Sequence, residues 1–419
     1  MDISNIRITS VLSVSLLVTH LAAASPDFLS RPATNARIIS NRTALVTITL
    51  LNREHQPLSN TIISVNHLRH RFLFGCNAFM LNSCPGRELE TEYRNHFTRL
   101  FNFATLPFYW NSYEPEPAKT TQAAITPMLR WCRENRIEPK GHPLVWHECL
   151  PQWIMKKSPD QAYADLLRRI TREIQSFPGE IDTWDVLNEP VVMPSYNTNS
   201  NPLACYCAWT GITAMISQTF SVARCASPKA TLILNDYNIS PKYVDIIRTS
   251  LNAGASIDVI GIQSHMHGGY WGKEKLWEVC ERFARFGLPL HFTELTITST
   301  TGEELQAREV DECYRVLFSH PAVQAVTWWD LSDRGAWRGA PAGLLRNDMK
   351  PKKAYAALDT LINKEWRTGP LIVKTDENGQ AVFRGFLGEY TMIAANTTNT
   401  IALACKGQTN ILLRSGTVQ

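Results

Sequence analysis

Eight short apolar runs alternate with amphipathic stretches between residues 71 and 331, and this alternation constrains the fold more than any other feature of the chain. The runs are RFLFGCNA (71–78), FNFATLP (101–107), PKGHPLVW (139–146), IDTWDVLNE (181–189), TLILND (231–236), DVIGIQSH (258–265), PLHFTEL (289–295) and AVTWWDL (325–331), with starts 27 to 50 residues apart. The segments between them read as helices. In DQAYADLLRRITREIQSF, for example, Ala164, Leu167, Ile170 and Ile174 recur on one face with charges between them. Parallel strands need helical crossovers and are covered on both faces, so near-continuous apolar runs suit them. Eight strand–helix repeats therefore predict an α/β fold, a closed (β/α)8 barrel. An open doubly wound sheet would carry a glycine-rich phosphate loop after its first strand, and none is present.

Both flanks break the pattern. Residues 25–66 contain TALVTITLLN, the turn HQPLSN and TIISVNHL, which read as an N-terminal β-hairpin ahead of a barrel over 67–363. Residues 364–419 read as a small all-β module, with Asn378-Gly379 as a hairpin turn. So small a module buries little core alone, and pairing with the N-terminal strands would help it. Trp366, Phe383, Phe386 and Tyr390 are spaced like core, which predicts that the module braces the barrel rather than binding polysaccharide.

Residues 1–24 carry an apolar run from Val11 ending in Ala22-Ala23-Ala24, the pattern of a secretory signal and too short for a comfortable membrane span. An extracellular protein with no membrane partner is expected. Ten cysteines in an exported chain predict disulfide bonds, whose pairing sequence does not give. Sequons stand at Asn41, Asn238 and Asn396, the second of them close to the strand-end site described next. A formal charge of +4 with no concentrated basic stripe argues against a nucleic-acid partner.

Barrel enzymes place their chemistry at the C-terminal ends of the strands. Here those ends collect His142, Trp146 and His147; Asn188 and Glu189; Asn235, Asp236, Tyr237 and Asn238; Gln263, Ser264, His265 and His267; Glu294; Trp329 and Asp333, with Trp337 beyond. Glutamates on opposite strands of a small barrel can face each other across a sugar whose faces stack on tryptophan. One acid and one base or nucleophile is what glycoside hydrolysis requires. A metal hydrolase built on His265, His267, Asp236, His142 and His147 is the rival, but it leaves the glutamates and tryptophans without a role. No metal and no cofactor are expected.

The motifs GHPLVWH (141–147), WDVLNEP (184–190), NDYN (235–238), IGIQSH (260–265), FTEL (292–295) and TWWDLSDRGAW (327–337), followed by KPKKAYAAL (350–358), resemble glycoside hydrolase family 10, the endo-1,4-β-xylanases. The resemblance covers about residues 67 to 363. It implies a secreted, monomeric, retaining endo-1,4-β-xylanase acting on xylan or a related β-glycan. Glu189 would be the acid/base and Glu294 the nucleophile. Asn188 would bond the sugar 2-hydroxyl, Gln263 and His265 would hold Glu294, and His142, Trp146, Trp329 and Trp337 would wall the reacting sugar, with His147 and Tyr237 also on the substrate side. The alternatives are hydrolysis of another β-linked glycoside, or a barrel that binds carbohydrate without turnover. The chain departs from the family around the second strand, where FNFATLPFYWNSYEPEPAKT lacks the usual lysine contact. Tyr109 and Trp110, with Asn111 and Glu114, are the glycone-side candidates there. Cys149 also stands where glutamine is common, and the polar segment 190–207 is a candidate wall on the leaving-group side or a disulfide-stapled surface excursion.

Overall fold

The structure is a computed structural model that describes residues 26–414; the predicted leader, residues 1–24, lies outside them. Strands β1 (Thr43–Leu51) and β2 (Ile62–His70) precede the barrel. The barrel strands are β3 (Leu73–Asn77), β4 (Phe103–Pro107), β5 (Glu138–His142), β6 (Thr183–Asn188), β7 (Thr231–Asp236) and β8 (Val259–Ile262). After a two-residue strand β9 (His265–Met266) come β10 (Leu290–Ile297) and β11 (Val323–Trp328). Apart from β9, which extends the end of β10, these strands pair in parallel in chain order, and β11 returns to β3 to close an eight-stranded barrel. Each of the eight apolar runs supplies one strand.

Interior packing explains two glycines. A Cβ at Gly141 would lie 2.2 Å from the Trp184 ring, and one at Gly261 would lie 2.5 Å from Asn235 Oδ1. Any larger residue would displace a side chain of the barrel interior. On the outside, the helix Pro159–Ser176 begins with a capping box between Ser158 and Gln161 and with proline at its first position. Its buried face carries Ala162, Tyr163, Leu166, Ile170 and Ile174 together with Arg169 and Glu173, whereas Ala164 is exposed. The Arg169 guanidinium reaches under the barrel rim to the carbonyls of Leu144 and Phe108, so the helix is rotated toward a residue that a hydropathy pattern assigns to water.

The flanking segments build one two-sheet sandwich. Its C-terminal strands are β12 (Leu371–Lys374), β13 (Gln380–Phe386), β14 (Gly388–Ala394), β15 (Thr397–Leu403) and β16 (Gly407–Arg414). One sheet runs β13-β1-β16 and the other β12-β2-β14-β15, so the two N-terminal strands are separated into different sheets, each between C-terminal partners. The Asn378-Gly379 turn forms as expected, with Asp376 N–H donating to Gln380 O at 2.8 Å, yet β12 and β13 likewise diverge into opposite sheets. The core between them includes Val46, Ile48, Ile63, Val65, Phe383, Tyr390, Met392 and Leu413. Arg42 joins the sandwich to the barrel floor: it donates to the carbonyls of Phe318, His320 and Val323 at 2.6–2.7 Å, and its guanidinium lies over the Phe72 and Phe318 rings.

The disulfides expected of an exported chain are not found: all ten cysteines are free thiols. Cys76, Cys132, Cys207, Cys280 and Cys313 are buried within the apolar core, where a thiol packs as a small hydrophobe. The segment 190–207 is therefore held by other contacts. No helix among the described residues is long and apolar enough to cross a membrane.

Candidate active site

The chain leaves β6 through Asn188 and turns sharply at Glu189, which adopts φ 59° and donates its N–H to Asn235 O at 2.8 Å. A non-glycine residue in the left-handed region is strained, and such strain persists where surrounding structure enforces it. The following proline continues the turn, and Asp236 fixes it by accepting the Val191 N–H at 2.9 Å while its other oxygen accepts from Asn238 N–H. Ser264 (φ 57°) and Cys149 (φ 55°) make two more left-handed turns at the same rim.

Three amides connect the two glutamates. Gln263 Nε2 donates to Glu189 Oε1 and to Asn188 Oδ1, both at 3.2 Å. Asn235 Nδ2 donates to Asn188 Oδ1 and to Glu294 Oε1, both at 2.8 Å, and Thr293 Oγ1 fixes the orientation of Asn235 by donating to its Oδ1 at 2.6 Å. The second oxygen of Glu294 lies 3.1 Å from His265 Nε2, and His265 Nδ1 lies 3.2 Å from Thr296 Oγ1.

The two carboxyls differ in environment. Burial raises Glu189 above the usual carboxylate range and the charge on Glu294 adds to the rise, against the N–H groups of Trp146 and Gln263. Burial also pushes Glu294 upward, but His142, His265 and Lys140 outweigh it and hold Glu294 below that range. Behind Glu294, inside the barrel, Lys140 Nζ and His142 Nδ1 both contact Asp185 Oδ2, at 2.6 and 2.7 Å, and all three side chains are removed from solvent. The result is one proton-retaining and one proton-shedding carboxyl in a single site.

The surrounding cleft has a volume of about 900 Å³. Tyr109, His142, Trp146, His147, Asn188, Tyr237, Gln263, His265, Trp329 and Trp337 all line it beside the two glutamates. Trp329 packs edge-on against Phe79, His142 and His265, while Trp337, flanked by His265, His267 and Arg338, is 44% exposed and Tyr237 47%. His147 is buried with both ring nitrogens unpartnered and 3.8 Å from Glu189; burial drives its pKa down to about 4, so the ring is neutral.

Trp110 is a correction. It points into the core, donating to Glu114 Oε2 at 2.9 Å, and Glu114 is in turn clasped by Arg172 at 3.0 and 2.6 Å. The pair braces the wall behind Tyr109 and Asn111, which do face the cleft. Asp333 likewise serves the scaffold through Lys352 at 2.7 Å. The side chains of the rival metal reading do not converge: among the described residues, no three His, Cys, Asp or Glu side chains form a group able to hold an ion.

Several cleft residues escape the sequence reading. Asn77 ends the first barrel strand and Phe79 follows it, while Asp330 lies just past the last one, where burial lifts its pKa to about 6. The strand-end set read from the sequence begins at the third barrel strand, with only the glycone-side candidates placed before it, so the first strand's Asn-Ala-Phe ending carries no weight there. Lys140 and Asp185 are missed because their side chains point into the barrel, where apolar residues are the ordinary expectation.

A closed (β/α)8 barrel whose strand ends hold two opposed carboxyls in an aromatic cleft is the arrangement that glycoside hydrolysis requires. The chain belongs to Glycosyl hydrolase family 10, whose family model matches residues 77–360. It is 25% identical over 398 residues to anti-sigma-I factor RsgI6 of Acetivibrio thermocellus, covering 92% of this chain and 49% of that protein. It is 26% identical over 354 residues to endo-1,4-beta-xylanase 1 of Arabidopsis thaliana, covering 79% of this chain and 35% of that one. The chain thus spans half or less of the length of these relatives. Xylanase 10B from Thermotoga petrophila RKU-1, solved with xylobiose, matches 70% of this chain and 95% of its own at 25% identity and a TM-score of 0.61.

Proposed function

We propose that this chain is a retaining endo-1,4-β-xylanase that cleaves internal xylosidic bonds of xylan by double displacement. The observation that carries the reading is the amide relay Gln263–Asn188–Asn235, which ties Glu189 to Glu294 while their surroundings move the two carboxyls in opposite directions. Glu294, ionised, attacks the anomeric carbon as protonated Glu189 gives its proton to the departing glycosidic oxygen. A glycosyl ester on Glu294 and a shortened chain result. Once Glu294 is esterified its charge no longer raises Glu189, which becomes the base that takes a proton from attacking water and frees Glu294. Asn188, held by both neighbours, is placed to bond the sugar 2-hydroxyl as charge develops at the anomeric centre.

The xylanase relatives and the xylobiose-bound structural neighbour support xylan as the polymer, and the apolar run ending at Ala24 supports an exported enzyme. The test is release of reducing ends from soluble xylan, with viscosity followed in parallel. Internal cleavage predicts that viscosity falls early, while few ends have appeared, and that Glu294→Gln loses both signals. Turnover surviving that substitution, or a folded wild-type enzyme without action on xylan, would contradict the reading.

A further inference from the structure

Asp330 is a third carboxyl at the rim of the cleft, and the displacement by Glu294 and Glu189 has no use for it. Only 9% of the residue is exposed, and its backbone is fixed by Trp328 Nε1, which donates to its carbonyl at 2.9 Å. Burying a carboxyl is costly unless hydrogen bonds replace the lost water. Here the side chain is hydrogen-bonded to Asn77 at the end of β3, and its Oδ2 accepts the Trp337 N–H at 3.1 Å. The second of these partners belongs to the turn that carries Trp337 over the cleft.

That turn has little else to hold it. Gly335, Arg338 and Gly339 adopt φ 71°, 62° and 61°, and a left-handed arginine is strained unless its surroundings enforce it. Within the turn, Ala336 N–H donates to Asp333 O at 3.2 Å, Gly339 N–H to Ala336 O at 3.0 Å and Ala340 N–H to Trp337 O at 3.4 Å. Among the described residues, the bond to Asp330 is the one hydrogen bond joining residues 335–340 to any part of the chain outside 333–342. The Trp337 ring packs on His265 and His267 with centroids 4.6 and 5.1 Å apart, and His265 Nε2 lies 3.1 Å from Glu294 Oε2. A line of contacts thus runs from Asp330 through Trp337 to the partner of the nucleophile.

We propose that Asp330 is a positioning residue whose carboxyl latches the Trp337 turn to the end of the last barrel strand and so fixes the indole against His265 as a wall of the cleft. The kinetic consequence rests on the hydrolase reading above; the latch itself does not. A wall met equally by substrate and transition state acts on KM and leaves kcat alone, so its loss appears in KM. Asp330→Leu removes the acceptor and raises KM on a linear xylo-oligosaccharide about tenfold, with a much smaller change in kcat. Asp330→Asn keeps an oxygen for the Trp337 N–H, without the charge, and recovers most of that loss. Because Asp330 acts through Trp337, adding Asp330→Leu to Trp337→Ala raises KM little further. Fluorine NMR of protein labelled with fluorotryptophan, the Trp337 line assigned with Trp337→Ala, reads the latch without turnover. The line moves toward that of free tryptophan in Asp330→Leu and back toward the wild-type position in Asp330→Asn. Asp330→Ser, too short to reach the Trp337 N–H, serves the same comparison should the leucine variant not fold. An unmoved line, a KM effect that persists in full beside Trp337→Ala, or an asparagine variant as impaired as the leucine one overturns the latch and leaves the hydrolase standing. A folded wild-type enzyme without action on xylo-oligosaccharides overturns the xylanase reading, and the fluorine line then decides the latch by itself.

Discussion

Glu189 and Glu294 are the same residue type at equivalent strand ends, so their different roles must come from what surrounds them. The proposed mechanism needs Glu189 protonated and Glu294 ionised, which predicts a kcat/KM bell-shaped in pH, with Glu294 setting the acid limb and Glu189 the alkaline limb. Gln263 stabilises the ionised form of Glu189, so Gln263→Leu raises that pKa further and moves the alkaline limb to higher pH. His265 stabilises ionised Glu294, so His265→Leu raises the Glu294 pKa and moves the acid limb upward, narrowing the bell that Gln263→Leu widens. A pH–rate series on both variants checks the signs; limbs that do not move would mean other groups titrate. Both glutamates are legible in the sequence because a carboxylate followed by proline, or set in an apolar strand, is costly to bury without a use. Asn235 is legible only as one of several polar strand ends. Its place between Asn188 and Glu294 depends on the absent Cβ of Gly261, which a one-dimensional pattern does not reveal.

At the scale of elements, β5 and β6 are fastened inside the barrel by a buried ion pair. Lys140 Nζ lies 2.6 Å from Asp185 Oδ2 with neither side chain exposed. Burial raises Asp185, but Lys140 and His142 outweigh it and hold the carboxyl below its ordinary range. A depressed folded-state pKa stabilises the protein above the ordinary aspartate range, and that contribution is lost as pH falls through the folded value. Removing one partner strands the other's charge, so Lys140→Met destabilises by about 3–5 kcal/mol, whereas Lys140→Met with Asp185→Leu loses less. Urea denaturation of both variants measures the difference; equal losses would show that the pair is not coupled. The eight strands were visible as apolar runs because both of their faces are covered. The rotation of helix Pro159–Ser176 was not, since Arg169 is buried for the sake of backbone carbonyls at the barrel rim.

Across the whole molecule, the two ends of the chain meet in the sandwich. β1 and β2 are interior strands of sheets whose other members come from residues 371–414, so neither N-terminal strand has a full set of partners without the C-terminal segment. The turn signals around 52–60 and 378–379 are plain in the sequence. The exchange of strands between sheets is not, because turn chemistry fixes a local reversal and not the distant partner. Trp366, Phe383, Phe386 and Tyr390 are all buried, and the large apolar residues on the outer faces, such as Ile62, Ile372 and Val382, are aliphatic, which leaves no aromatic platform for a polysaccharide among the described residues of the sandwich. Ending the chain after Trp366 is therefore expected to lower the melting temperature and favour aggregation, with no change in the affinity of the folded fraction for insoluble xylan; the reverse pattern would make the sandwich a binding module. The central claim, displacement by Glu294 with Glu189 serving as acid and then base, meets its most direct test in a time-resolved NMR record of the anomer first released from a soluble xylo-oligosaccharide, with Glu294→Gln alongside. The account predicts that the β-anomer appears first and mutarotates later, and that the variant releases none. An α-anomer at the earliest times, or hydrolysis that persists in Glu294→Gln, would contradict it.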